Sequence, residues 1–146
     1  MDDISQSLIS LLSSHEACGP ASLEQIDAAQ HQLGLLFPPS YRLFLQRYGA
    51  VFWRGFEIAG LTPDEGTGSP MWSDVVSSTL MYRRHDALPD SSIYISTDGS
   101  DLNYFLICSQ VDSTIEGQVI EWGPDHGGGM ICADNFISFL EHRLDR

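Results

Sequence analysis

The stretch Leu33-Gly34-Leu35-Leu36-Phe37-Pro38-Pro39-Ser40-Tyr41 separates two helical patterns and turns the chain between them. Before it, Ser22 and Gln25 have the spacing of a capping box, and Gly34 stands where a helix C-cap belongs. After it, Pro38-Pro39 resets the chain direction, and Gly49 stops the second pattern. The apolar residues recur at helical spacing in both patterns, at Leu23, Ile26, Ala29 and Leu33 and then at Tyr41, Phe44, Leu45 and Tyr48. The sequence therefore predicts two helices that meet at the Leu35-Leu36-Phe37 corner.

Outward from this corner, the pattern predicts one more helix before it and strands after it. A short amphipathic segment covers about Ile4 to Ser13. Past Gly49, Val51-Phe52-Trp53 and Phe56-Glu57-Ile58 are rich in aromatic and β-branched residues, with Arg54-Gly55 between them. We expect the sheet to start with this strand pair.

The middle of the chain predicts an inserted helix and a hairpin. Thr62 to Pro70 is a polar loop, and Ser69-Pro70 has the form of a helix start. The inserted helix would carry Trp72, Val75, Val76, Thr79, Leu80 and Arg83, and end before Leu88-Pro89. Ile93 to Ile95 and Tyr104 to Ile107 then flank the turn former Asp98-Gly99.

The last quarter predicts a strand, a glycine loop and a closing helix. Val119 to Trp122 is the strand, and the loop Gly123 to Gly129 leads to a helix with Asp134 as its N-cap. Runs of strands bracketed by helices favour an α+β fold over a parallel α/β sheet. We expect one domain over residues 1–146, an antiparallel meandering sheet packed with N-terminal helices, one inserted helix and a closing C-terminal helix.

Charge is the most informative feature of the composition. The 146 residues include 20 Asp and Glu against 7 basic residues, all of them Arg, for a formal net charge of -13. Because the acids are spread along the chain, a negative field should surround the folded protein and repel nucleic-acid phosphates and anionic lipid. A basic protein would be attracted. Acidity that serves solubility alone is the competing explanation.

The cysteines and the N-terminus indicate a reducing compartment. Cys18, Cys108 and Cys132 are odd in number and lie in or near apolar or small-residue runs, which predicts buried free thiols. The N-terminus has no basic stretch before Leu8 to Leu12, and no apolar run approaches the ~20 residues of a membrane span. We expect a cytoplasmic protein.

The order and spacing of these motifs resemble the SUKH superfamily, named from Syd, the US22 proteins and fungal cell-wall-synthesis regulators, and especially its bacterial immunity-protein branch. The resemblance covers most of the chain. It extends over the helix Ile26 to Leu33, the corner Leu33 to Tyr41, the helix end Phe44 to Gly49, the segment Ile58 to Leu61, the hairpin Ile93 to Ile107, the strand Gln118 to Trp122 and the helix Phe136 to Leu140.

The resemblance implies an α+β domain that binds and blocks protein toxins, often nucleases or deaminases, without catalysis of its own. This chain departs from the resemblance at Ala50, where such proteins often carry a second glycine, and at the longer loop containing Gly127-Gly128-Gly129. Either departure would reshape one edge of a binding surface.

Several groups of polar residues suggest chemistry, and each has a simpler explanation. Asp98, Asp101 and Asn103 offer oxygens for calcium or acid/base work, but they lack the spacing of a calcium loop and suit a hairpin turn. His126 lies in a glycine loop of the kind that cradles phosphate, yet no Lys follows it and Asp125 would repel phosphate. A mobile loop that moulds to a partner fits better.

The residue sets for a zinc site and for nucleophilic catalysis are incomplete. His15-x-x-Cys18 with His31 lacks a fourth ligand. Cys132 would need Asp134 and His126 to converge on it, and its apolar neighbours Met130-Ile131 predict a buried thiol. The sequence therefore predicts no catalytic residue, no metal and no cofactor.

Protein binding is the function that the sequence favours. We expect the partner to be a cognate toxin with a basic nuclease or deaminase domain, bound by a monomer or weak dimer. The alternatives are an intracellular regulatory or scaffolding module, and a small hydrolase that uses Asp98, Asp101 or His126. Aromatic anchors and acids near element ends are the candidate partner-binding residues: Trp53, Glu57, Trp72, Asp98, Asp101, Trp122 and Asp125.

Overall fold

The computed structural model describes residues 3–12, 16–17, 19–53, 56–61, 74–85, 91–97, 102–123 and 129–144. These residues form five helices and seven strands, which confirms the α+β prediction. In chain order they are α1 (Asp3–Leu12), β1 (Glu16–Ala17), α2 (Leu23–Leu33), α3 (Pro39–Arg47), β2 (Val51–Trp53), β3 (Phe56–Ile58), α4 (Val75–His85), β4 (Ser92–Thr97), β5 (Asn103–Ile107), β6 (Val119–Trp122), β7 (Met130–Ala133) and α5 (Phe136–Leu144).

The strands form two antiparallel sheets that meet at the junction of β3 and β4. One sheet has the order β1-β2-β3 and the other the order β4-β5-β6-β7. At the junction, the Ala59 N–H donates to the Ile95 carbonyl at 2.8 Å, and the Ser96 hydroxyl donates to the Glu57 carbonyl at 2.6 Å. The predicted antiparallel meander is confirmed, and its strands are divided between two linked sheets.

The helix signals around the corner are confirmed by the observed caps. The Ser22 hydroxyl accepts from the Gln25 N–H at 3.1 Å, and the Gln25 side chain accepts from the Ser22 N–H at 2.9 Å, which completes the capping box. Gly34 ends α2 at φ 70°, a left-handed conformation that glycine adopts without steric cost. Pro39 occupies the first turn of α3, where its missing N–H is not needed.

The main core lies between the helices and one face of the four-stranded sheet. Helix α5 packs on α1 and α3, and its Phe136 ring meets the rings of Tyr41 and Phe44 at centroid distances of 5.2 and 5.4 Å. The Tyr41 side chain is fully buried, and its hydroxyl donates to the Ala59 carbonyl at 2.6 Å. Because Ala59 follows β3, this bond ties α3 to the junction of the two sheets.

The segment between β5 and β6 is fastened to the helical corner. The Leu36 N–H donates to the Ser109 carbonyl at 2.8 Å. The Glu116 carboxylate accepts from the Ser40 N–H at 3.1 Å and from the Ser40 hydroxyl at 2.7 Å, so a distant residue caps the start of α3. Arg42 Nη1 donates to the Ser113 carbonyl at 3.2 Å, which adds a third point of attachment.

Gly49 and Gly60 allow the segment that follows α3 and the segment that follows β3 to approach each other closely. Gly49 has φ 74°, and the Leu61 N–H donates to its carbonyl at 3.0 Å. A Cβ on Gly60 would lie 1.7 Å from the Gly49 carbonyl oxygen, so no side chain fits there. The close crossing requires glycine at position 60, within the Ile58 to Leu61 segment of the resemblance.

Two predictions about element boundaries are corrected, and one strand was not predicted. The glycine loop does not lead directly to the last helix, because β7 intervenes and pairs with β6. Asp134 is not the cap of that helix, since the Asn135 side-chain oxygen accepts the Ser138 N–H at 2.9 Å. Strand β1, which pairs with β2, is too short to give a pattern in the sequence.

The inserted helix is confirmed over its described part. Helix α4 begins at Val75, and the Asp74 carboxylate accepts the Val76 N–H at 3.1 Å. The expected start at Ser69-Pro70 and the loop from Thr62 lie outside the described residues. An N-cap Asp in front of an apolar run was therefore the better local signal.

Candidate functional site

Alternation along the strands gives the four-stranded sheet a second apolar face, opposite the main core. Ile93 and Leu106 point into the main core, whereas Tyr94 and Phe105 point to the other side. Tyr94 in β4 pairs with Phe105 in β5, which pairs with Ile120 in β6. We call Tyr82, Tyr94, Phe105, Ile120 and Trp122 the aromatic face.

The rings of the aromatic face pack edge to face. The Tyr94 and Phe105 centroids are 5.9 Å apart at an interplanar angle of 70°, and those of Phe105 and Trp122 are 6.4 Å apart at 75°. Such geometry places the positive edge of one ring against the negative face of the next. Phe105 is fully buried at the centre, while Ile120 and Trp122 are only partly buried. The outer part of the face therefore keeps some exposure to solvent.

Trp122 is held in place by the start of β7. A Cβ on Gly129 would lie 2.8 Å from the Trp122 ring, and Gly129 has φ 107°. Both the contact and the backbone conformation favour glycine at this position. The glycine thus leaves room for the Trp122 indole close to the backbone at the start of β7.

Helix α4 covers the outer edge of β4 and adds one ring to the aromatic face. The Thr79 hydroxyl accepts the Tyr94 N–H at 2.9 Å, and Arg83 Nη2 donates to the Ser92 carbonyl at 3.4 Å. One turn further, the Tyr82 ring stacks on Tyr94 at 5.3 Å. A cleft of about 590 Å³ opens beside these rings, between Tyr94 and the exposed side of α4 around Met81.

Glu57 brings an acid to the end of the aromatic face. Burial raises the pKa of its carboxyl to about 7. Burial, followed by the Glu57 carboxyl and the Tyr82 hydroxyl, raises the pKa of Tyr94, so these side chains are close enough to interact. A cation beside this carboxyl would lower its pKa, because a positive charge favours the ionised form.

Three partly buried arginines hold their guanidinium groups against backbone carbonyls or a ring. Arg42 donates to the Phe37 carbonyl at 3.1 Å, and Arg83 donates to the Leu33 carbonyl at 3.0 Å. Arg143 lies over the Tyr104 ring, with 5.2 Å from its guanidinium carbon to the ring centroid. Three of the 7 Arg are thus directed at carbonyls or a ring, while Glu24, Asp27, Asp134 and Glu141 are exposed.

The structure brings two of the predicted site residues to the same surface. Glu57 and Trp122 both border the Tyr94–Phe105 pair. Trp53 ends β2, paired with Phe56 of β3. Trp72, Asp98, Asp101 and Asp125 lie outside the described residues.

Sequence reasoning missed Tyr82, Tyr94 and Phe105, which form the centre of the aromatic face. A signal for two of them was present, because Tyr94 stands between Ile93 and Ile95 and Phe105 alternates with Leu106 in the strand pattern. Side chains at alternate positions face opposite sides of a sheet, so a second apolar face followed from a sheet whose main core was already occupied by helices. The position of Tyr82 depends on how α4 packs, which no local pattern gives.

The described thiols have little of the character of nucleophiles. Burial raises the pKa of Cys108, which is free and buried as predicted. Cys132 is free but only partly buried, and burial raises its pKa to about 11. The prediction that its neighbours mark a buried thiol is wrong, because β7 is an edge strand and Met130 and Ile131 are exposed.

The described residues contain neither a cluster of metal ligands nor a helix that could span a membrane. Within the described ranges, no three His, Cys, Asp or Glu side chains come together as a metal site would require. The candidate ligands His15, Cys18 and His126 lie outside those ranges. The helices of the described part reach at most 11 residues, and none is long and apolar enough to cross a membrane.

A family model named SUKH_5, with the description SMI1-KNR4 cell-wall, matches residues 2–145. The match spans nearly the whole chain, and the protein therefore belongs to the SUKH family. Membership fits a protein-binding role of the immunity-protein or SMI1-KNR4 kind.

Proposed function

We propose that this protein is a cytoplasmic immunity protein of one domain that binds a cognate bacterial toxin and neutralises it without catalysis. The toxin would carry a basic nuclease or deaminase domain. The observation that carries the proposal is the common location of Glu57 and Trp122 at an aromatic face whose outer residues are only partly buried. Tryptophan and tyrosine anchors surrounded by acids are a combination that suits tight binding of a basic protein surface.

Charge supports the choice of partner. A net charge of -13 on 146 residues steers basic proteins toward this chain and disfavours nucleic acid as the ligand. Aromatic anchors would then supply affinity that persists when salt screens the field. The two contributions separate experimentally, because only the first depends on ionic strength.

The interface would extend over one end of the four-stranded sheet. Thr97, Asn103 and Trp122 are paired in one row at this end. Asp98 and Asp101 follow Thr97 in the chain, and Asp125 follows Trp122, so we propose that these acids flank the aromatic face. Trp53 and Trp72 complete the proposed set as further anchors.

The alternative is a regulatory or scaffolding module that acts within its own cell. The description of the matching family, which refers to SMI1-KNR4 and the cell wall, supports keeping this candidate. A toxin encoded beside this gene favours the immunity role, and its absence favours the regulatory one.

A pull-down of the tagged protein with the product of the neighbouring gene tests the immunity role, followed by titration at about 0.05 and 0.5 M salt. We expect a stoichiometric complex that silences the toxin, with affinity that falls but does not vanish at high salt. Trp122→Ala should weaken the complex at least tenfold at both salt concentrations. If the well-folded protein does not bind the product of the neighbouring gene, the immunity role is contradicted and the regulatory role is favoured.

A matched pair of charge variants locates the site. Glu57→Gln and Glu141→Gln each replace a carboxyl by an amide, and binding is measured at pH 8, above the pKa of about 7 of Glu57, so that its carboxyl is ionised. Glu141 is exposed on α5, the helix that packs on the core side of the sheet. We expect Glu57→Gln to weaken binding several-fold and Glu141→Gln to change it by less than about twofold. Equal effects would show that the charge acts only through the overall field.

A further inference from the structure

Strand β7 forms an edge of the four-stranded sheet. In the part of the chain that the structure describes, no strand pairs with its outer side. Its sequence, Met130 to Ala133, contains no charged residue and no proline, two of the devices that blunt an edge. The register shift in its pairing with β6 falls after Ile131, which stays opposite Ile120. Met130 and Ile131 are 56% and 60% exposed, so two adjacent apolar side chains lie at this edge.

The register of the sheet shows which backbone groups of β7 point outward. The Ile107 N–H donates to the Gln118 carbonyl at 2.8 Å, and hydrogen-bonded pairs alternate along an antiparallel ladder. Phe105 and Ile120 therefore form the next bonded pair, and the backbone groups of Ile120 point to β5. Ile131 stands opposite Ile120. Its N–H and carbonyl consequently point away from β6, to the open side.

A hydrogen bond at the opposite edge of the same sheet agrees with this register. By the same alternation, the Tyr94 N–H should point away from β5, and it donates to Thr79 at 2.9 Å. Helix α4 thus supplies an acceptor at the β4 edge. The equivalent groups of Ile131 at the β7 edge are directed outward beside an exposed apolar side chain.

Ile131 also continues the aromatic face to this edge. Phe105, Ile120 and Ile131 are successive partners across three strands, so their side chains share one side of the sheet. A strand added beside β7 would place an apolar side chain next to Ile131 and extend the row. Backbone bonds and side-chain burial would then act together, as they do when peptides add to sheet edges.

We infer that the outer edge of β7 accepts an extended, basic segment of the partner protein as an added strand of the four-stranded sheet. The basic character of the segment follows from the net charge of -13 and from the exposed Asp134 directly after β7. The same charge opposes a second copy of this chain at the edge, because two acidic bodies repel. The identity of the partner rests on the proposed immunity role, whereas the strand addition is tested without it.

The probe is a ten-residue peptide that alternates valine with arginine, titrated into isotope-labelled protein and followed by amide NMR. We expect the Ile131 amide to shift and to exchange more slowly with solvent when the peptide is bound. Ile131→Pro removes the outward N–H and leaves the β6–β7 bonds intact, since proline is tolerated at such edge positions. It should bind the peptide at least tenfold more weakly than Ile131→Ala, which loses the side chain but keeps the N–H.

A second comparison works even if Ile131→Pro does not fold. A peptide of the same sequence with methyl groups on alternate backbone nitrogens keeps its charge but cannot complete a strand ladder. Wild-type protein should bind it at least tenfold more weakly than the parent peptide. Equal binding of the two peptides, or shifts confined to residues away from β7, would overturn the inference and leave only general attraction between charges.

Two further outcomes separate this inference from the proposed function. A toxin bound equally by wild type and a folded Ile131→Pro variant would overturn strand addition and leave the immunity role standing. If the peptide adds at Ile131 but the protein binds no toxin, the immunity role is overturned and strand addition stands. A dimer in sedimentation that Ile131→Pro abolishes would overturn the choice of occupant, because the edge would then serve a second copy.

Discussion

The carboxylate of Glu116 and the N-terminal turn of α3 are joined through Ser40, which donates to Glu116 from both its N–H and its hydroxyl. The hydroxyl is buried, and the carboxylate lies next to N–H groups that have no partner within the helix. Favourable interaction between a negative charge and a helix N-terminus adds to the two hydrogen bonds. This contact is a structural one, and it lies on the far side of the sheet from the aromatic face.

Replacement of Glu116 by Ala should lower the free energy of unfolding by about 1 to 3 kcal/mol, because a buried donor and an N-terminal N–H lose their acceptor. Urea denaturation measures the change. Glu141→Ala, at an exposed carboxylate, is the control and should alter stability by less than about 0.5 kcal/mol. Equal effects of the two variants would show that Glu116 contributes only general charge.

Glu57 should make stability depend on pH in a defined direction. Its pKa is about 7 in the folded protein against an ordinary value of 4.5, so the folded state holds the proton more tightly than the unfolded state. The contribution of the protonated carboxyl to stability is fully present below pH 4.5 and is lost as pH rises through 7. Glu57→Gln removes this loss.

Unfolding of wild type and Glu57→Gln should therefore be compared at pH 5 and pH 8. We expect the variant to gain stability relative to wild type at the higher pH, on the order of 1 kcal/mol, since partial exposure screens the carboxyl. Glu141→Gln serves as the control for loss of one negative charge. A constant difference between Glu57→Gln and wild type at both values would contradict the raised pKa.

Gly60→Ala should destabilise the protein strongly, because the new methyl group would lie 1.7 Å from the Gly49 carbonyl oxygen. Since backbone must move to relieve this clash, we expect a loss above about 3 kcal/mol or failure to fold. Gly34→Ala is the matched control. No atom lies within 4 Å of its added carbon, so it bears only the cost of a left-handed conformation, about 1 to 2 kcal/mol. Thermal unfolding distinguishes the two variants.

The two described thiols should react slowly with alkylating reagents, and Cys132 should react first. At pH 8 a thiol with a pKa of about 11 has roughly 100-fold less thiolate than an ordinary cysteine. Cys108 is only 6% exposed and should react only when the protein opens. Peptide mass spectrometry of the alkylated protein measures both rates, because it assigns the label separately to Cys132, Cys108 and Cys18. Rapid labelling of Cys132 at neutral pH would contradict its raised pKa.

The sequence predicted those parts of the fold that have local signals. The capping box at Ser22 and the glycine at position 34 mark α2, and the alternation around Tyr94 marks a strand. Strands β1 and β7 were missed because they are short, and β7 lies between a glycine loop and a helix. β1 pairs with β2 and β7 pairs with β6. A local sequence pattern does not reveal such contacts between strands.

The site was predictable only in part, for a physical reason. Glu57 and Trp122 were chosen as an acid and an anchor near strand ends, and the structure places them around Tyr94 and Phe105. The central rings look like ordinary core residues in the sequence, because burial and binding both select aromatic side chains. Which face of a sheet remains open depends on where the helices pack.

The attachment of Ser40 to Glu116 also has a consequence for how the chain is made. Synthesis delivers the N-terminal residues first, and domains fold as their segments become available. The start of α3 cannot receive its acceptor until 76 further residues have been added. Until then the Ser40 hydroxyl and N–H must bond to water, so the corner between α2 and α3 reaches its final form late in translation, when β5 and β6 assemble behind it.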